Sequence, residues 1–484
     1  MNIKTKYETD FLIIGSGASG GIIFHELKKE KLNFLLIEEG DWISSNNFEK
    51  NFIGSLSTIW KDGGYQLSNG NTKIPFLQGQ CVGGSTVING AIMQKTTIDY
   101  GKKLKKCFNN STFFDYKNIL KSQEYLIDQF GIKKNTSHVI SKSLVNKICL
   151  KLGMKASSQL RSAKNCKFTD TCLNGCPIDG KVTIENKIFS RFNDKNIIYK
   201  TKVEKIIIQN NKGSYVRCVS ENSKFNIYVN KKIILCAGAI NTPLVLLNSK
   251  IKNKNIGKNL TCHLSTSLSG KFNKTKNQIE VLPMGYEITT NLKNCEKFFS
   301  QSLPKELILS KLNLIGNDLL KEYGEIENIS SWVGSISSKS RGTIKNNVFG
   351  RPKILFSPDH EDLKKIIFIN KVISNFLFEL GAKKVFLPYN SIKNEIESIS
   401  EYPKFLRNQI IAKKFILASS HIFGSCSRTN NESISAIEKN FKLKGTDNIF
   451  IADASILYNP TEYNPQLTIM TVAKIASEVI LNSD

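Results

Sequence analysis

Arginine is the conspicuous shortage in this 484-residue chain: only seven of its 68 basic residues are Arg, and the rest are Lys. Arg is the side chain that grips phosphates and base edges bidentately. A Lys-dominated excess spread evenly along an Asn- and Ile-rich sequence therefore argues against nucleic acid as a partner. The formal net charge of +27 leaves attraction to an acidic protein or an anionic surface open. Long apolar runs are missing as well. No stretch approaches the roughly 20 consecutive apolar residues of a membrane span, so no transmembrane segment is expected. The N-terminal "MNIKTKYETDFLIIGSG" runs from its one apolar stretch straight into glycines, which reads as a strand and not as a secretory leader. The eleven Cys are odd in number and scattered, as in a reducing compartment, and the expected location is cytoplasmic.

What is present begins with "DFLIIGSGASGGIIFHELKKE". Gly15, Gly17 and Gly20 form G-x-G-x-x-G after an apolar strand and at the start of a helix. The first Gly allows the tight turn, the second admits a pyrophosphate, and the third lets helix and strand pack closely. The free N–H groups of the helix start suit a diphosphate. Glu38 closes the next apolar run, placed to accept from a ribose hydroxyl. A carboxylate there repels a 2′-phosphate, leaving FAD or NAD as the ligand. A second glycine-rich stretch, "QGQCVGGSTVINGAIMQ", sets Gly79, Gly83, Gly84 and Gly90 around Ser85 and Asn89, a backbone able to lie flat against a large ligand.

From Gly79 to Gly90 this stretch resembles a signature of the glucose-methanol-choline (GMC) family of flavin oxidoreductases. "LCAGAINTPLVLLNSKI" is similar to the family's second signature, and "IGKNLTCHL", "HIFGSCSR" and "NIFIADASILYNPTEYNPQLTIMTVAKIASEVI" follow in the family order. The resemblance implies FAD as cofactor and oxidation of a small-molecule alcohol by hydride transfer to flavin N5. It carries His421 over as general base and Asn464 as the donor that orients the substrate oxygen. Imidazole titrates near working pH, and an uncharged amide donates without competing for the proton. By the same resemblance Asp453 contacts the ribityl chain or pyrophosphate, Pro465 and Thr468 bring backbone to the isoalloxazine ring, and Val203 offers backbone to adenine. Asn464 followed by Pro465 is also good helix-start chemistry, so Asn464 is expected both to cap the last helix and to face substrate. No His stands near Ile88, where some members attach FAD covalently, so noncovalent FAD is expected.

The expected fold class is α/β: a discontinuous Rossmann-type FAD-binding domain over 1–95, 196–263 and 411–484, with an α+β substrate domain on an antiparallel sheet over 264–410. Residues 96–195 are expected to form a helical and irregular connection. That connection holds Cys166, Cys172 and Cys176 within eleven residues. Their spacing lacks a C-x₂-C pair; inert packing thiols are the main expectation, and iron–sulfur ligands serving a protein electron acceptor the alternative. Oxygen, quinone and a protein all stay open as acceptor. A cyanohydrin-type lyase that keeps FAD without redox chemistry, or a flavin-binding subunit without activity, are the competing functions. The 28 Phe favour an apolar or cyclic alcohol over a polyol.

Overall fold

Two sheets, one largely parallel and one antiparallel, set up the site. The computed structural model describes residues 7–134, 142–167, 169–192, 195–221, 223–273, 286–290, 297–301, 303–390, 394–403 and 411–483. The apolar run after Tyr7 becomes the strand Tyr7–Ile14, with Leu12 and Ile13 fully buried. It pairs in parallel with Phe34–Ile37 on one side and Lys224–Leu235 on the other. Ile197–Ile198 extends the first edge, and Ile449–Ile451 adds a parallel partner to Lys224–Leu235. Thr201–Gln209 and Lys212–Ser220 complete this sheet as an antiparallel meander. Runs of Ile and Leu without alternation suit strands covered on both faces. The helix Ala18–Lys29 packs against the last helix, Gln466–Leu481, and a Lys474–Glu26 ion pair of 3.2 Å joins the two.

The second sheet is antiparallel, in the order Glu395–Ile396, Lys384–Phe386, Thr261–Lys271, Ile329–Ser337, Lys297–Ser300, Tyr286–Thr290 and Met154–Ser158. The helix His360–Glu379 lies on it, capped by Asp359, with Ile366, Ile369, Ile373 and Phe376 buried. Gly334 permits the close approach, since a Cβ there would stand 2.7 Å from Ile369. Two expectations change. Part of the 96–195 stretch belongs to this sheet through Met154–Ser158, and its helix Tyr116–Gln129 packs on the last helix, so the stretch is divided between neighbours. Thr261–Lys271 crosses the expected limit between 263 and 264 as one strand of the second sheet, and its start also pairs with Ile422–Phe423 from the 411–484 stretch.

Candidate active site

The glycine loop opens a cleft of about 210 Å³, walled by Gly15, Ser16, Gly17, Glu38, Gly84 and Gly238 among others. Gly15 has φ +100°, and a Cβ on it would press on the carbonyl of Cys236 at 2.6 Å. A Cβ on Gly20 would meet the Gly15 carbonyl at 1.8 Å, so Gly20 serves packing and lies off the cleft wall. Gly17 has nothing within 4 Å of its Cβ position, and its side of the cleft is bare backbone at the start of Ala18–Lys29. No side chain caps that helix start. Glu38 is buried; its Oε2 accepts from the Ser16 N–H (3.0 Å) and hydroxyl (2.6 Å), and its Oε1 from the Gly40 N–H (2.8 Å). Desolvation raises its carboxyl above the ordinary value. Each carboxylate oxygen can accept again, so a ribose contact remains compatible with this bracing. Val203 lines the same cleft, next to a register shift between Val203 and Lys205.

Asp453 also lines the cleft, but its carboxylate is occupied. Oδ2 accepts from the Gly238 N–H (2.9 Å) and Thr242 Oγ1 (2.5 Å), and Oδ1 from the Ser455 N–H (2.8 Å). The side chain therefore fixes the second glycine turn, leaving backbone for a ligand.

The second glycine stretch is held from behind. Gly83 (φ +94°) donates its N–H to Ser16 Oγ, and Ser85 Oγ accepts from the Gly79 N–H. Asn89 donates to Gln466 Oε1 at 2.6 Å while its Oδ1 accepts from the Ala91 N–H. Buried Lys181 donates to the carbonyls of Val87, Asn89 and Cys172 at 2.5, 2.9 and 2.7 Å. Desolvation lowers its ammonium to about 8. The cysteine segment thus works as a brace through Lys181. Cys172 Sγ accepts from Arg161 at 3.9 Å, and among the described residues no three His, Cys, Asp or Glu side chains could hold a metal ion. That speaks against the iron–sulfur alternative for Cys166, Cys172 and Cys176: Lys181 and Arg161 lie beside the central thiol along with the other two, and burial raises it.

A second cavity, of about 540 Å³, meets the cleft at Ser85, Ser420, His421, Pro465 and Ile469, which line both. Its wall is largely apolar, with Phe52, Trp60, Ile88, Phe299, Val333 and Leu417. His421 precedes the short strand Ile422–Phe423, which pairs with Thr261–Cys262, and the His263 N–H donates to the His421 carbonyl. This ladder puts the two imidazoles side by side. Their Nδ1 atoms are 3.0 Å apart, and His263 Nε2 is 2.6 Å from the Thr461 carbonyl oxygen. A carbonyl only accepts, so His263 carries its proton on Nε2 and its Nδ1 is a lone pair. His421 then donates from Nδ1, and its Nε2 lone pair is left for the cavity. Burial lowers both rings: His421 well below the ordinary value, with help from His263 and Lys297, and His263 to about 3, with help from Lys297. Sequence reasoning missed His263 as a partner, although "NLTCHL" contains it.

Asn464 lines the second cavity but does not cap the helix. Pro465 is the N-cap residue, no side chain accepts there, and Asn464 Oδ1 instead accepts from Lys297 Nζ at 3.2 Å. Lys297 is buried, 3.6 Å from Glu287 Oε2 and 4.6 Å above the Tyr463 ring. A buried ammonium recruits every acceptor in reach, and this one outcompetes the helix end for the amide oxygen. Thr468 also departs from expectation. Its hydroxyl lies 2.9 Å from that of Thr96, off both cavity walls, while Pro465 and Ile469 line them.

Such a junction leaves room for a dinucleotide in one cavity and an apolar molecule in the other, on either side of one neutral imidazole. GMC oxidoreductase family models match residues 9–265 and 338–473. The chain belongs to the GMC oxidoreductase family, with FAD as its cofactor and CH–OH groups as its donors. It is 24% identical to an uncharacterized GMC-type oxidoreductase of Sinorhizobium fredii, over 100% of this chain and 96% of that one. It is 23% identical to a long-chain-alcohol oxidase of Arabidopsis thaliana, over 99% of this chain and 68% of that one. The crystal structure of pyridoxine 4-oxidase from Mesorbium loti has a similar fold, with TM-score 0.74 at 15% identity over 98% and 99% of the two chains.

The residues present fit that cofactor. The bare face at Gly17, the uncapped helix start beside it and the left-handed Gly84 and Gly238 form a cradle that side chains would fill.

Proposed function

We propose that this enzyme oxidises an apolar alcohol, with His421 as general base and Asn464 orienting the substrate oxygen. The observation that carries it is the unprotonated Nε2 of His421 where the two cavities meet. When bound, FAD supplies the acceptor for the hydride that leaves the alcohol carbon. His421 Nε2 takes the hydroxyl proton. Lys297 holds the Asn464 Oδ1, which turns the amide N–H₂ toward the cavity as a donor to the same oxygen. The apolar wall excludes water and favours a hydrocarbon body beside the reacting carbon. For the cofactor, the bare helix start of Ala18–Lys29 receives the pyrophosphate past Gly17, Glu38 accepts from a ribose hydroxyl, Val203 offers backbone to adenine, and Asp453 and Pro465 offer backbone further along. Attachment is noncovalent.

The test is anaerobic addition of an alcohol panel to the yellow protein. Bleaching of the flavin by apolar primary alcohols supports the reading. Cyanide release from a cyanohydrin with no bleaching by any alcohol would replace it with a lyase, and silence to both with an inactive subunit.

A further inference from the structure

Among the described residues, the cavity beyond His421 has a single charged side chain on its wall. Lys311 is the only Lys, Arg, Asp or Glu among its described lining residues. It ends the helix Lys305–Lys311, whose Leu307 and Ser310 line the same wall. Its backbone carbonyl accepts from Asn394 at 3.5 Å, but its ammonium has no hydrogen bond or ion pair with any described residue. Desolvation, with no opposing partner, lowers it to about 8. The buried lysines Lys297 and Lys181 are treated differently. Lys297 has Glu287 and Asn464, and Lys181 has three carbonyls. A sheltered cation without a partner is costly unless something else completes it.

Position suggests what completes it. His421 and Asn464 mark the inner end of the cavity, where the alcohol reacts. Tyr65, 75% exposed, and the exposed Ser310 are lining residues that reach solvent, and half-buried Lys311 follows Ser310 directly. We propose that Lys311 is a subsite for a carboxylate at the far end of the substrate, so that the alcohols taken are hydroxy acids with an apolar body. The proposal rests on the alcohol-oxidation reading above. One point charge on an apolar wall, with no Arg on it, matches a singly charged carboxylate better than a phosphate dianion, which needs several converging donors. Below a pH of about 8 the amine is charged and attracts the carboxylate; above it, the attraction fades.

Titration of the FAD-loaded enzyme with decanoate and with decanamide tests the subsite by binding alone. Decanoate should bind at least about tenfold tighter, as a charge-assisted hydrogen bond implies, and the preference should shrink as pH rises past the lysine. Lys311→Met should bring the two affinities together, and Lys311→Arg should keep them apart. Equal affinities in the wild type, or a decanoate preference that Lys311→Met leaves intact, would overturn the subsite. A preference that stays constant through the alkaline range overturns it too, and needs no variant to fold. Anaerobic addition of ω-hydroxydecanoate separates this from the functional reading. If decanoate binds through Lys311 but the hydroxy acid and n-decanol leave the flavin oxidised, the subsite stands and the oxidation reading falls.

Discussion

His263 and His421 sit 158 residues apart in sequence, yet their Nδ1 atoms share one proton across 3.0 Å. The proton's owner is decided at neither ring but at the Thr461 carbonyl on the far side of His263. His421→Ala should keep FAD and lose alcohol-driven flavin reduction by a factor of about 10² to 10⁴, the usual loss for a general base. His263→Phe should also keep FAD and slow reduction less than His421→Ala, because it frees the His421 tautomer without removing the base. Stopped-flow reduction at several pH values distinguishes the two. A His263→Phe enzyme with the wild-type rate and pH profile would remove His263 from the mechanism.

The pH dependence follows from charge. Both imidazoles are held neutral by burial and by Lys297, so the acid limb of kcat/KM should fall well below the ordinary histidine value. Protonation of His421 removes the base, so activity is present above that limb and lost as pH falls through it. Lys297→Met removes a repelling cation and should move the limb to higher pH. A limb that stays in place in this variant contradicts the charge argument.

Asn464→Ala should lower the reductive rate more mildly than loss of His421, since one neutral donor is removed. Asn464→Asp is the sharper probe. Its carboxylate would pair with Lys297, face the substrate oxygen as an acceptor, and favour a protonated His421. Reduction should fall below that of Asn464→Ala; the reverse order would mean that Asn464 does not donate to substrate.

Two glycines of one loop should fail differently. Gly20→Ala forces a Cβ to within 1.8 Å of the Gly15 carbonyl and should cost about 1–3 kcal/mol or more of stability as overpacking does. Gly17→Ala meets no protein atom within 4 Å, so the apoprotein should melt like the wild type while FAD binds more weakly. Equal flavin affinity in Gly17→Ala would mean the pyrophosphate lies elsewhere.

Acid precipitation should release the flavin into the supernatant, and anaerobically prepared protein should contain no iron or acid-labile sulfide in proportion to flavin. Cys172→Ser should then reduce its flavin normally. Stoichiometric iron would revive the role that the arrangement of Cys166, Cys172 and Cys176 speaks against.

The glycine loop, its strand and its helix were readable because their chemistry is local: turn, close approach and free N–H groups all fall within a dozen residues. Motif order marked His421 and Asn464 as candidates, and both line the second cavity. What Asn464 does with its oxygen was not readable, because the deciding neighbour, Lys297, is 167 positions away in the antiparallel sheet. Lys297 and Lys311 both lie in the 264–410 stretch, where no motif marks them, and only packing distinguishes a buried lysine from the many exposed ones. Thr468 sits one helical step from the wall, beside Ile469, a difference too fine for a motif to resolve.

The strand Thr261–Lys271 ties the candidate base to the antiparallel sheet. His263 near its start belongs to the proton relay, while Gly270 near its end lies under Leu377 and Ala382, where a Cβ would come within 3.2 and 3.3 Å. The neighbour that sets the His421 tautomer therefore belongs to the strand on which the helix His360–Glu379 packs, and the antiparallel sheet supplies half of the imidazole pair as well as the cavity wall.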